Sequence, residues 1–164
     1  MERSVTVVVE IPKGSRNKYE LNHDTGRIKL DRMLFSSVHY PADYGFIVDT
    51  LGGDGDPLDA LVLVEEPTFP GCEIEVRPIG VLKMADEKGD DEKVLSVPIS
   101  DPVWTNYHSL KEVAPALLRE IEHFFRIYKQ LEQKGDPKID GWEDADTAWR
   151  VIESARARFA KESA

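Results

Sequence analysis

The stretch Asp54-Gly55-Asp56-Pro57-Leu58-Asp59-Ala60-Leu61-Val62-Leu63-Val64 decides how this chain is read. Its first half crowds three carboxylates into six residues, with Gly52, Gly53 and Gly55 before and between them and Pro57 stiffening the exit. Its second half is an unbroken apolar run, the pattern of a buried strand. The acids therefore sit on a tight turn that feeds the core. Carboxylates this close repel one another and push some of their pKa values up. A hard divalent cation with oxygen ligands, Mg²⁺ or Mn²⁺, removes that conflict. Two plainer readings compete. Asp-Gly is an ordinary turn signal, so a solvated turn accounts for the composition. An EF-hand loop would use Asp54, Asp56 and Glu65 at its first, third and twelfth places. It fails because Leu58 falls at the fifth place, Asp59 falls where glycine belongs, and a strand replaces the exit helix.

Around this stretch the chain has the makings of one domain spanning residues 1–164, with 41% hydrophobic and 32% charged residues. A net charge of -10 and the lack of any basic run argue against nucleic acid as a partner. The single cysteine, Cys72, has no internal disulfide partner and reads as a packing residue in a reducing compartment. Met1-Glu2-Arg3 leads straight into a strand pattern with no signal peptide. No apolar stretch approaches the roughly 20 residues a membrane span needs. The expected location is the cytoplasm, with no membrane partner.

Upstream of the acidic turn, Val5, Val7, Val9 and Ile11 share one face of a strand over residues 4–11, and Glu10 lies on the other. Residues 18–21 and 27–30 flank the turn Asn22-His23-Asp24-Thr25-Gly26, a hairpin. Strict alternation there sets Lys18 and Glu20 on one face and Tyr19 and Leu21 on the other. Pro41 makes a helix unfavourable over 38–50, so an extended piece is expected to enter the turn. Downstream, residues 73–84 alternate through Ile74, Val76, Ile79 and Val81. A second acidic stretch, Asp86-Glu87-Lys88-Gly89-Asp90-Asp91-Glu92-Lys93, precedes another strand at 94–99. The period then changes. Ser109-Leu110-Lys111-Glu112 has the form of a capping box, and Leu117, Ile121, Phe124, Tyr128 and Leu131 recur at helical spacing up to Gly135-Asp136-Pro137. A second helix is expected over about 146–160, burying Ala148, Ile152, Ala155 and Phe159. Strands first and helices last predicts an α+β domain: a small barrel or strongly twisted sheet with the helices packed outside.

In a small barrel the strand ends and turns converge on one mouth, which would bring the two acidic turns together with Glu10 and Glu20. Lys18, Arg32, Lys93 and Lys129 lie inside or at the ends of ordered elements, and Tyr40, Tyr44 and Tyr128 offer phenols. Carboxylates, cations and phenols together suit a substrate rich in anionic oxygens, such as a phosphate ester or anhydride. Taken singly, each residue has a plainer role: Tyr128 lies on an apolar helical stripe, and Arg32, sharing parity with Ile28 and Leu30, reads as partly buried and paired.

The run from Asp54 to Asp59 resembles the signature of the soluble family I inorganic pyrophosphatases. Val9-Glu10-Ile11-Pro12, Lys18-Tyr19-Glu20, Asp31-Arg32, Tyr40-Pro41 through Tyr44-Gly45, Gly80 to Met84, Asp86-Glu87 through Asp91 and Lys93, His123-Phe124-Phe125 and Tyr128-Lys129 follow in family order. The likeness covers nearly the whole chain and is closest to the bacterial branch. It implies a five-stranded OB-like β-barrel with two flanking C-terminal helices, and hydrolysis of inorganic pyrophosphate to two orthophosphates with several Mg²⁺ ions, Mn²⁺ being a substitute. By the resemblance, Asp54, Asp59, Asp86 and Asp91 are metal ligands, and Glu10 and Glu20 act at or near the metal shell. Asp56 orients and deprotonates the attacking water, a role for which Asp91 competes. Lys18, Arg32, Tyr44, Tyr128 and Lys129 bind phosphate, with Lys93 in support. The bacterial branch implies a homohexamer of two trimers. His23 has no place in the family pattern and is expected to be a solvated turn residue. Two other readings stay open, a non-catalytic cation-binding module and a nucleotide hydrolase. The first gives the basic and phenolic set no purpose, and the second lacks an identifiable base-stacking platform.

Overall fold

The structure, a computed structural model, describes residues 2–164. Five strands close into a ring: β1 (Val5–Ile11), β4 (Asp43–Ile47), β5 (Asp59–Val62), β6 (Glu73–Asp86) and β8 (Lys93–Pro98). Their order around the ring is β1-β4-β5-β8-β6, and β6 pairs back onto β1. All neighbours run antiparallel except β5 and β8, which are parallel. This is an OB-like barrel in an α+β fold.

The alternation seen in the first strand is observed: Val5, Val7, Val9 and Ile11 are all buried. Each contributes roughly 1.5–3 kcal/mol relative to exposure. β1 and β4 approach so closely that a Cβ on Gly45 would lie 1.9 Å from the Val8 carbonyl oxygen, so only glycine fits there. The long strand β6 serves several partners. It also pairs with β7 (Gly89–Asp90) and β9 (Lys138–Asp144). The hairpin β2 (Asn17–Leu21) and β3 (Ile28–Met33) forms a separate two-stranded sheet beside β1.

Helix α1 (Pro115–Ile127) covers one core cluster, built around Tyr40, Tyr44, Leu61, Leu82, Leu95, Ile121, Phe124 and Phe125. Helix α2 (Ala145–Glu162) covers another, with Ala148, Val151, Ile152 and Ala155 against Val5, Val62, Val76 and Val94.

Four local expectations are corrected. Ser109 caps no helix with its side chain; residues 110–112 form a 3-10 turn, and Glu112 accepts from the His108 N–H instead. Pro115 is the reason, because the residue before a proline avoids helical angles while proline itself suits the first helical position. At the other end α1 stops at Ile127, so Leu131 belongs to a 3-10 turn and is exposed rather than on the buried stripe. Phe159 is only half-buried. Between the helices lies β9, which the sequence pattern did not signal; strands therefore do not all precede helices. Asp144, the last residue of β9, caps α2 by accepting from the Thr147 N–H.

Candidate active site at the barrel mouth

The first acidic turn is shaped by its own backbone. Gly52 N–H donates to the Asp56 carbonyl at 2.7 Å, and Asp54 Oδ1 accepts from the Asp56 N–H at 3.1 Å. Gly55 has a φ of 92°, open to glycine at no steric cost. The second acidic turn is the tight hairpin between β6 and β7, where Asp86 pairs with Gly89 and Asp86 Oδ1 accepts from the Lys88 N–H. The two turns touch through glycine. A Cβ on Gly53 would meet the Asp90 Cβ at 3.3 Å, and one on Gly89 would meet the Gly53 carbonyl oxygen at 3.2 Å.

One cavity of about 290 Å³ collects the predicted residues. Glu10, Lys18, Glu20, Tyr44, Asp54, Asp56, Asp59, Asp86, Asp91, Lys93, Tyr128 and Lys129 all line it. Arg32 does not. Its guanidinium is forked onto Glu132, with Nε at 3.0 Å and Nη2 at 2.9 Å, and it also pairs with Asp31. Arg32 is paired, as its parity with Ile28 and Leu30 suggested, and it lies outside the residues that line the cavity. Strict alternation in the hairpin also fails: an irregularity between Lys18 and Tyr19 breaks the register, and Lys18, Tyr19, Glu20 and Leu21 all reach the cavity. His23 is exposed, as a turn residue should be, yet it too borders the cavity, edge-on to Phe46. Lys134 was not anticipated; it lines the cavity from the segment after α1.

Lys93 is the hub. Its buried ammonium donates to Asp59 Oδ2 at 2.7 Å, Asp91 Oδ1 at 2.7 Å and the Tyr44 hydroxyl at 2.8 Å. Strand pairing makes this possible, because Asp59 on β5 lies beside Lys93 on β8. Burial disfavours the ammonium, but the two carboxylates outweigh it and hold the Lys93 pKa well up. Burial, opposed by Lys93 and reinforced by Asp91, lifts Asp59 to about 6. Asp91 is held down by the same lysine against its own burial. Burial also lifts Glu10 to about 7, although its carboxylate accepts from the Leu21 N–H at 2.9 Å, and it raises Asp54. Burial, with Asp59 and Asp91 nearby, keeps Tyr44 a phenol whose proton remains free to be donated.

Among the described residues no three acidic, histidine or cysteine side chains already encircle one point. The acids line an open basin instead, and Lys93 lies in its wall among them. The donor set still suits hard divalent cations: the acids offer oxygen alone, and burial holds Glu10, Asp54 and Asp59 above the usual carboxylate range, a cost that a bound cation would offset.

Fold and cavity define the class: a small OB-type barrel whose mouth gathers acids, lysines and phenols around one open basin. The inorganic pyrophosphatase family model matches residues 7–160. The inorganic pyrophosphatase of Methanosarcina mazei is 54% identical over 98% of this chain and 95% of its own length. That of Leifsonia xyli subsp. xyli is 54% identical over 93% and 94%. Among solved structures, the Thermus thermophilus inorganic pyrophosphatase superposes with a TM-score of 0.92 at 45% identity, over 96% of this chain and 91% of that one. The Helicobacter pylori enzyme gives 0.92 at 41%, over 96% and 94%. The chain belongs to the family I inorganic pyrophosphatases and is a hydrolase.

Proposed function

We propose that the mouth cavity hydrolyses inorganic pyrophosphate to two orthophosphates with Mg²⁺ as its cofactor, several ions per site, Mn²⁺ serving as a substitute. The observation that carries this reading is the convergence of both acidic turns with Lys18, Tyr44, Lys93, Tyr128 and Lys129 on one basin. Acids alone would suit a cation buffer; the added lysines and phenols suit a polyanion. Asp54, Asp59, Asp86 and Asp91 would hold the ions, with Glu10 and Glu20 at or near their shell. Divalent ions held there would supply positive charge beside the phosphoryl oxygens and lower the pKa of a water towards neutrality.

The chain's own groups do the rest. Asp56 takes the proton of the attacking water. Asp91 is the poorer acceptor because, against its burial, Lys93 bound to its Oδ1 at 2.7 Å holds its carboxyl below the usual range. The water oxygen adds to one phosphorus as the bridging P–O bond breaks, and the second phosphate leaves with that electron pair. Lys18 and Lys129 neutralise the phosphates, and Tyr44 and Tyr128 donate hydrogen bonds through their hydroxyls to phosphoryl oxygens. Arg32 contributes from the hairpin, oriented by Glu132, and Lys93 supports the acids it joins.

The protein works in the cytoplasm as a single domain and assembles as a homohexamer. Such an assembly would cover some of the exposed apolar side chains, among them Leu30, Met33, Phe35 and Phe69. No helix among the described residues is long and apolar enough to cross a membrane.

Phosphate release tests the reading, measured with pyrophosphate, a nucleoside triphosphate or a phosphate monoester, with Mg²⁺ and with EDTA. Fast release from pyrophosphate alone, abolished by EDTA, is expected. No release from folded protein supplied with Mg²⁺ or Mn²⁺ would overturn it.

A further inference from the structure

β4 ends at Ile47 and β5 begins at Asp59, with Phe46 facing Asp59 in register. The next pair outward is Ile47 with Leu58, and only half of its ladder is conventional. Ile47 N–H donates to the Leu58 carbonyl at 2.9 Å. The return bond runs through a side chain: Leu58 N–H donates to Thr50 Oγ1 at 3.0 Å, and the Thr50 O–H donates to the Ile47 carbonyl at 2.6 Å. The hydroxyl is inserted into the ladder and wedges the two strands apart where the acidic turn begins. Thr50 is 2% exposed, so no solvent competes for these bonds. Asp49, at φ 55°, turns the chain back so that Thr50 enters the gap, a conformation aspartate tolerates better than most residues.

The neighbouring residue completes the anchor. Leu51 N–H donates to the Ala155 carbonyl of α2 at 3.0 Å, and the Leu51 carbonyl accepts from Arg158 Nε at 2.9 Å. The turn thus springs from a base fixed at residues 50, 51 and 58, immediately next to Pro57 and Asp59.

We infer that Thr50 is a positioning residue for the reaction, its hydroxyl setting the spacing of Asp54, Asp56 and Asp59 through Leu58. This rests on the reading of the cavity as a Mg²⁺-dependent pyrophosphate site. Thr50 is not placed to touch substrate or cation; it acts through the backbone that carries the acids. Valine has the same shape but leaves the Ile47 carbonyl and the Leu58 N–H unpaired in a buried place, so the base must shift. Serine keeps the hydroxyl.

The test compares wild type, Thr50→Val and Thr50→Ser. Mg²⁺ binding is measured by titration calorimetry, and pyrophosphate hydrolysis is measured across Mg²⁺ concentrations, well below each protein's melting temperature. The expected result is a rise of about tenfold or more in the Mg²⁺ dissociation constant of Thr50→Val, the size typical of lost support behind metal ligands, with recovery in Thr50→Ser. A lower melting temperature with unchanged Mg²⁺ affinity and unchanged Mg²⁺ dependence of turnover would overturn the inference, since a merely structural threonine predicts that. If Thr50→Val does not fold, Thr50→Ala carries the same comparison. Wild-type protein that binds Mg²⁺ but releases no phosphate would overturn the functional reading beneath, while the calorimetric comparison still judges Thr50.

Discussion

Lys93 Nζ lies 2.7 Å from Asp59 Oδ2, which sets a buried ammonium in the wall of an acid-lined cavity. Asp91 and Tyr44 complete its shell. The pairing joins the first acidic turn to the strand that follows the second, so it bears on both the fold and the binding of charge.

Lys93→Met should destabilise the metal-free protein by about 3 kcal/mol near pH 8, the order seen when one member of a buried ion pair is removed. Asp59 and Asp91 are then left ionised without a partner. The loss should shrink at pH 5, where the acids can protonate, and Mg²⁺ should restore part of it. Denaturant unfolding with EDTA and with Mg²⁺ at both pH values checks this.

Glu132→Gln should act on substrate binding. Glu132 grips Arg32 in a two-bond fork and is almost wholly buried itself. Weakening a charge-assisted contact of this kind costs roughly 1.5–3 kcal/mol, so KM for pyrophosphate should rise about tenfold or more, with a smaller change in kcat. Steady-state kinetics at saturating Mg²⁺ decides it; an unchanged KM would show that Glu132 does not orient Arg32 for binding.

Much of this was legible in the chain. The valines of β1 alternate without a break and the acidic run joins a fully apolar strand, so the strands and the acidic turn follow from pattern, whereas the closed barrel and its assembled mouth followed only from the family resemblance. Glu132 was not legible, because its partner Arg32 is remote in sequence and meets it only when the hairpin lies beside the end of α1. Thr50 was hidden for a related reason: a lone threonine in a loop has no period, and its role appears only when Ile47 and Leu58 face each other. β9 escaped because glycine and acidic residues interrupt its alternation, and its pairing with β6 supplies what local propensity does not. The capping box misled because Pro115 overrides it.

The pH dependence of the metal-free protein follows from Glu10 and Asp59. Their native pKa values, about 7 and about 6, stand above the ordinary 4.5 and 3.8. Between those limits the folded chain holds more protons than the unfolded one, so stability is greatest below about pH 4 as far as these groups are concerned. It falls as pH rises towards 7. With EDTA present, the melting temperature should drop across this window. Glu10→Gln should flatten the upper part of the fall, and a parallel profile in that variant would show Glu10 is not its source.

The most direct measurement is phosphate release from pyrophosphate by Asp56→Asn beside wild type, with Mg²⁺ binding followed by calorimetry on the same samples. Asp56 sits on the turn without being placed among the ion-holding acids, so the variant should still bind Mg²⁺. Its turnover should fall by about 10²–10⁴-fold, the usual contribution of a positioned general base. Wild-type turnover in a folded, Mg²⁺-binding Asp56→Asn protein would contradict the account.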